Sequence, residues 1–561
     1  MNLCVKQISG LEKVCTNGIE SFKTIREQSL LGGESFSYQL AISTTERTDL
    51  KVSVSSPLSE HIKLYEVKNT IIDFAVYDGA DDDYLTKEPG IMPDILIPIE
   101  SENEIIRFVN DSGAIWVSVK IPENTPAGSY PITVSLTSSN AFEEITIKQT
   151  LTVNVIGANI PKQKTIFTQW FHVDCIADVH NVPIYSEEHW DLIDKYMSLA
   201  SDLGINMILT PVITPPLDTE IGTTRPCTQL VKIEKQDEKY LFNFSLLKRW
   251  IELANKNNMK YFEISHLFSQ WGLKYAPNIK VYENGKEDYM FGWHTDSQSE
   301  EYRNFLNQFI PSLIEFFKSE NIKERCYFHI SDEPSLEHME TYKYAYDLIK
   351  PLIEDCNILD AISNYDFYGN GLISHPVTAT SHIEEFFEHE VKNQWAYYCC
   401  GQINKFGNRF LAMPSYRNRI LGLQLYKFNV VGFLQWGYNF YYSQLSRKKI
   451  NPYLTTSADK GFPSGDSFSV YPVNNGVVPS LRALIFKEAL EDIEICRLLE
   501  SYIGRDAVIE MIDTEAKMNV TFSEYPRNTE FIPSLINKMR RLIKKHSARL
   551  NQKSSAMHYF F

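Results

Sequence analysis

The sequence predicts a multidomain α/β + β chain: an N-terminal antiparallel β-sandwich followed by a (β/α)8 TIM-like barrel with C-terminal helices. Three observations predict it. At 561 residues the chain exceeds one ordinary core. Its first part is a series of short alternating runs separated by turn signals, and from about 165 onward apolar strands alternate with amphipathic helices. The boundaries follow from that change: a sandwich over 1–160, then the barrel with a helical extension over 161–561.

In the first region FSYQLAIS (36–43), LKVSVSS (50–56), AIWVSVKI (114–121), YPITVSL (130–136) and EITIKQTLTVNVI (144–156) read as strands. Turn residues such as Pro122–Gly128 divide them, and GANIPKQK (157–164) reads as a linker. The barrel strands begin with TIFTQWFHV (165–173), NMILTPVI (206–213), YFEISHLFS (261–269) and CYFHIS (326–331). LDAISN (359–364), VTATS (377–381), QWAYYCC (394–400) and VVGFLQW (430–436) complete them, although 364–395 gives no clean pattern. Helices are expected near 187–203, 246–257, 300–319, 339–353 and 417–428, with two more at about 480–503 and 532–548.

Composition limits the function classes. Apolar residues form 43% and charged residues 22% of the chain, the proportions of a soluble globular protein. The formal charge of −16 repels nucleic-acid backbones and anionic lipid surfaces, so neither is an expected partner. Aromatics reach 13%, which suits stacking on sugar C–H faces as well as large aromatic cores. The segment MNLCVKQISGLEKVC carries no apolar signal region, and no stretch is long enough to enter a bilayer. Nine cysteines without CxxC spacing are expected as free thiols in the cytoplasm. No metal site and no cofactor are expected, and a homo-oligomer is compatible with the sequence.

In such barrels the active site lies where the strands end. The strand ends supply Trp170 and His172, His266 and Trp271, Asp332 and Glu333, Asn364, Tyr397 and Tyr398, and Trp436 and Tyr438. Aromatic, imidazole, amide and carboxyl groups converging on one rim suit a polyhydroxylated, uncharged ligand. Asp332–Glu333 is the most informative pair, because glycoside cleavage needs a proton donor and a group that stabilises positive charge at the anomeric carbon. Pro334 should force an extended exit that brings both side chains to the rim. The alternative is that one of them caps the following helix. The last two strand ends, QWAYYCC and GFLQWGYN, hold no carboxylate to act as nucleophile. The economical mechanism therefore uses the substrate's own 2-acetamido carbonyl. Asp332 orients the acetamido N–H, while Glu333 serves as acid and then base, with a raised pKa.

ISDEP (330–334), GFLQWGYNFYY (432–442), GDSFSVYP (465–472) and PSLRALIFKEALEDIEICRLL (479–499) together resemble glycoside hydrolase family 123 and the related domains of unknown function numbered 4091. EPGIMPDILIPI (88–99) and AIWVSVKIPENTPAGSY (114–130) resemble that group's sandwich, so the likeness spans nearly the whole chain. The resemblance implies a retaining, exo-acting β-N-acetylgalactosaminidase using substrate-assisted catalysis on a glycan, glycolipid or oligosaccharide, with Asp332 and Glu333 as the catalytic pair. It also implies Tyr397 or Tyr398 as the hydrogen-bond donor to the acetamido carbonyl and Trp436 as the platform beneath the sugar. The family's GDGF reads GDSF here, and its REGIEDYEY reads KEALEDIEI, both outside the pair. Two rivals remain open: the same chemistry on N-acetylglucosamine, and a non-catalytic glycan-binding protein.

Overall fold

The structure is a computed structural model that describes residues 3–15, 18–109, 112–139 and 144–558. They form two compact units, one from 1–164, 403–428 and 478–561, the other from 165–402 and 429–477.

The first unit is built on ten strands: β1 (Leu3–Ser9), β2 (Glu27–Gly32), β3 (Ser35–Thr44), β4 (Arg47–Ser55), β5 (Ile62–Ile72), β6 (Gly90–Pro98), β7 (Ile106–Val109), β8 (Ser112–Lys120), β9 (Gly128–Ser139) and β10 (Glu144–Asn159). They make two five-stranded sheets, ordered β1-β3-β8-β5-β6 and β2-β10-β9-β4-β7. The pairing is antiparallel apart from β2 with β10. Period-two alternation turns Leu151, Val153 and Val155 of β10 inward to meet Ile132, Val134 and Leu136 of β9 in a shared core. On the opposite face of the first sheet, Trp116 and Leu96 pack with Leu481 and Ile485 of the helix Leu481–Ile503.

The second unit is the expected closed barrel of eight parallel strands: Ile166–Gln169, Met207–Thr210, Tyr261–Ile264, Cys326–Phe328, Asn357–Ala361, His375–Ala379, Trp395–Tyr397 and Gly432–Gln435. The eighth pairs in register with the first and closes the ring. The intervening helices follow their amphipathic spacing. Ser245–Lys256 buries Leu247, Trp250, Ile251 and Ala254, one face of a 3.6-residue repeat. Ser186 and Ser299 cap Glu187–Asp202 and Glu300–Ser319 by accepting from backbone N–H groups three residues on.

The stretch without a clean pattern holds the helix Tyr365–Gly369, the sixth strand and the helix Ile383–Glu388, elements too short to show a period. Further elements were not expected, these two among them. A four-stranded sheet (232–236, 239–243, 279–283, 286–291) grows from the connections around the third strand, and the helix Arg505–Ala516 restarts after Gly504, whose φ of 85° interrupts the preceding helix. Among the described residues no helix is long and apolar enough to cross a membrane.

Candidate active site

Parallel strands that close into a barrel all end at one rim, and there a cavity of about 270 Å³ opens. Trp170 and His172 line it from the first strand end, Leu217 and Asp218 from the second, Gln270 and Trp271 from the third, and Asp332 and Glu333 from the fourth. Tyr397, Cys399 and Cys400 follow from the seventh and Leu434 and Trp436 from the eighth, with Gln444 and Phe462 from the long loop beyond.

Asp332 and Glu333 sit past the last residue of their strand, Phe328, so strand alternation no longer governs them. Glu333 is left-handed, φ 47°, and does not make the extended exit expected before Pro334. That turn separates the two environments: Asp332 is 6% exposed, whereas Glu333 is open to solvent. Asp332 Oδ2 accepts from Gln270 Nε2 at 2.6 Å, and Glu333 Oε1 accepts from the Tyr397 hydroxyl at 2.7 Å. Burial, and after it the Glu333 charge, raises the Asp332 carboxyl well above the usual carboxylate range against the opposing Gln270 hydrogen bond and His329. It is Asp332, the buried member of the pair, whose carboxyl is raised. Neither caps a helix; Ser335 and His338 do so for the next turn, Leu336–His338.

Beneath the pair lies a buried charge relay. His329 at the end of the fourth strand bonds Glu263 through Nε2 at 2.6 Å and Asp360 through Nδ1 at 2.9 Å. Burial disfavours its charge, but the two carboxyl partners outweigh burial and push its pKa up to about 9. Tyr342 donates its hydroxyl to Asp360 Oδ2, and Trp170 donates Nε1–H to Glu263 Oε1 at 2.7 Å, which fixes the indole in the cavity wall. Ligand atoms of His266, His329 and Asp360 all lie within 4.8 Å of one another. Both ring nitrogens of His329 are engaged by Glu263 and Asp360.

Trp436 is held by its Nε1–H on Asp466 Oδ2 at 3.0 Å and by edge contacts with Phe440 and Phe462. His172 accepts at Nδ1 from Arg225 at 3.2 Å and therefore donates Nε2–H to the Trp436 carbonyl at 3.0 Å. Burial, then the Arg225 charge, lowers its pKa to about 3, so the ring stays neutral. Arg225 itself is clamped by Asp174 through two bonds of 2.7 Å.

Of the residues predicted at the site, Trp170, His172, Trp271, Asp332, Glu333, Tyr397 and Trp436 meet in the cavity, and four do not. His266 is fully buried beneath it, stacked on His329 at 4.1 Å with neither ring nitrogen hydrogen-bonded among the described residues, and is kept neutral by burial and by His329. Asn364 accepts from Asp366 N–H and caps Tyr365–Gly369. Tyr398 follows Tyr397 on the strand, so alternation points it outward against Phe433. Tyr438 is fully buried, stacked on Phe171, with its hydroxyl on the Tyr196 carbonyl.

Sequence reasoning missed Asp218, Gln270, Gln444 and Phe462. Inspecting the loop after the second strand would have found Asp218, and Gln270 lies one residue before Trp271. Gln444 and Phe462 carry no such signal, because they return to the rim from deep within a loop.

The family model for the catalytic domain of glycoside hydrolase 123 matches residues 170–499. A family 123 glycoside hydrolase from Clostridium perfringens, solved to detail glycolipid glycan hydrolysis, is similar in structure with a TM-score of 0.73 and 17% identity, covering 100% of each chain. At that identity the likeness speaks for the fold. A β-glucuronidase from Parabacteroides merdae (TM-score 0.30, 10% identity, 86% of this chain and 51% of that one) is too remote to carry an argument. The same holds for an endo-β-1,4-mannanase from Thermotoga petrophila (TM-score 0.33, 13% identity, 60% and 77%). No curated protein matches the chain in sequence.

Proposed function

Because the chain belongs to glycoside hydrolase family 123, we propose that it is an exo-acting, retaining enzyme that releases terminal β-linked N-acetylgalactosamine by substrate-assisted catalysis. The observation that carries this reading is the adjacent pair Asp332 and Glu333 in unlike surroundings, one buried and one solvent-facing, in one cavity wall. At about 270 Å³ the cavity is at the small end of ligand pockets and suits one sugar ring, which favours action at a chain end. Asp218, Asp332 and Glu333 are acidic, and among the described residues no Lys or Arg joins them in the lining, a wall that disfavours an anionic sugar and admits a neutral one. The substrate class we assign is a neutral glycan, including the glycolipid glycans on which the Clostridium perfringens relative acts.

In this mechanism the acetamido group lies against Asp332, whose carboxylate accepts its N–H and increases the electron density on the amide oxygen. That oxygen attacks the anomeric carbon and forms a cyclic oxazolinium, while Glu333 gives its proton to the departing glycosidic oxygen. Water then opens the ring with Glu333 as base, so two inversions give net retention. The mechanism needs the Asp332 carboxylate once the sugar is bound, and the arriving amide N–H favours that charge, which burial and then the Glu333 charge disfavour in the free enzyme. Trp436 supplies an apolar face beneath the ring.

The test is hydrolysis of the 4-nitrophenyl 2-acetamido-2-deoxy-β-galactoside and β-glucoside by the wild type and by Glu333→Gln. Release from the galactoside, inhibition by a thiazoline analogue, and a loss in the variant that is far greater on poor leaving groups are expected. Equal loss on good and poor leaving groups contradicts the acid role. Preference for the glucoside changes the sugar, and silence on both favours a binding protein.

A further inference from the structure

The loop after the second barrel strand sets Asp218 in the cavity wall with a left-handed backbone, φ 40°, a strained conformation for an aspartate. Three bonds hold it there. Its N–H donates to Gln270 Oε1, Ser446 Oγ donates to its carbonyl at 2.6 Å, and Leu445 N–H donates to its Oδ2 at 3.0 Å. Leu445 and Ser446 are themselves left-handed, φ 59° and 53°, so both sides of this clasp are over-determined. The second carboxyl oxygen, Oδ1, has no hydrogen-bond partner among the described residues.

Gln270 ties this clasp to the catalytic pair. One end of its amide receives the Asp218 N–H, and the other donates to Asp332 Oδ2 at 2.6 Å. A single side chain thus separates Asp218 from the carboxyl that, in the function proposed above, holds the acetamido group on C2 of the sugar. In that reading C3 and C4 are the ring positions that follow C2 away from the scissile bond, and Asp218 is the third acidic group of the same cavity wall.

We infer that Asp218 is a specificity-determining residue whose Oδ1 accepts a hydrogen bond from the 3- or 4-hydroxyl of the bound sugar. The inference rests on the substrate-assisted reading. A carboxylate oxygen oriented before the sugar arrives discriminates against analogues lacking the hydroxyl, because it is then left without a donor.

The experiment uses the 4-nitrophenyl β-glycoside of the 2-acetamido sugar the enzyme prefers, with its 3-deoxy, 4-deoxy and 6-deoxy analogues. The wild type, Asp218→Asn and Asp218→Ala are each assayed. Removing the 3- or the 4-hydroxyl should cost the wild type at least about 100-fold in kcat/KM, and removing the 6-hydroxyl only a few-fold. In both variants the penalty for the sensitive position should shrink to a few-fold, a coupling that a merely structural role does not produce. The wild-type series stands even if the variants do not fold. A wild type that is active but tolerates loss of either hydroxyl within ten-fold overturns the inference alone, as does a penalty unchanged in soluble variants. A wild type silent on the parent glycosides overturns the functional reading and, with it, this assignment. Rescue of Asp218→Ala by azide, with the inverted α-glycosyl azide as product, makes Asp218 a nucleophile and overturns both.

Discussion

Tyr397 donates its phenolic hydroxyl to Glu333 Oε1 at 2.7 Å from the end of the seventh strand. Burial first, and then the Glu333 carboxyl, keep its pKa far above the ordinary tyrosine range, so it remains a donor throughout the working pH. A hydrogen bond to a charged group contributes about 1.5–3 kcal/mol, and Tyr397→Phe should therefore lower kcat/KM by roughly 10- to 100-fold. Because the phenol bonds Glu333, the loss should be greater on poor leaving groups than on good ones. An equal loss on both would make Tyr397 a wall residue only. The choice between Tyr397 and Tyr398 stayed open in the sequence, since either could face inward until the register of a three-residue strand was known.

Strand ends are the elements that carry the site, and the relay under the fourth shows how they are held. His329 lies buried between Glu263 of the third strand and Asp360 of the fifth, and so fastens three neighbouring strand ends together. His329→Gln leaves two buried carboxyls without their cation and should cost about 3–5 kcal/mol, read as a lower thermal midpoint. The pH dependence has a definite sign. A histidine whose folded pKa is raised to about 9 contributes fully below its unfolded value of about 6.5 and loses that contribution as pH rises through 9. The wild-type midpoint should therefore fall between these limits more steeply than that of the variant; parallel curves would refute a charged His329. Barrel and sandwich strands were legible because apolar runs and turn residues are local signals. His266 was misplaced because a histidine near a strand end can point to the rim or beneath it, and only packing against His329 decides.

At the scale of the whole molecule, one compact unit is assembled from three separate stretches of chain, and its last stretch is tied in by a buried ion pair. Arg482 meets both oxygens of Asp94 at 2.9 Å, with side chains 2% and 0% exposed. Arg482→Met should strand the carboxylate and lower stability by about 3–5 kcal/mol, while the double variant with Asp94→Leu should recover most of it. Differential scanning calorimetry of the three proteins checks this, and a double variant no better than the single would show that the charge pair is not what matters.

By itself the sequence determined the fold class and the position of Asp332 and Glu333 at a strand end, because both are written in periodicity and in neighbouring residues. Tertiary structure alone decided the rest. Asp218, Gln270 and Phe462 come from distant loops, and the three-dimensional path of the chain brings them into one cavity. A left-handed turn at Glu333, set by the surrounding contacts against the preference of the residue before proline, made one carboxyl buried and the other exposed. Burial depends on what packs around a group, and no neighbour in sequence supplies it.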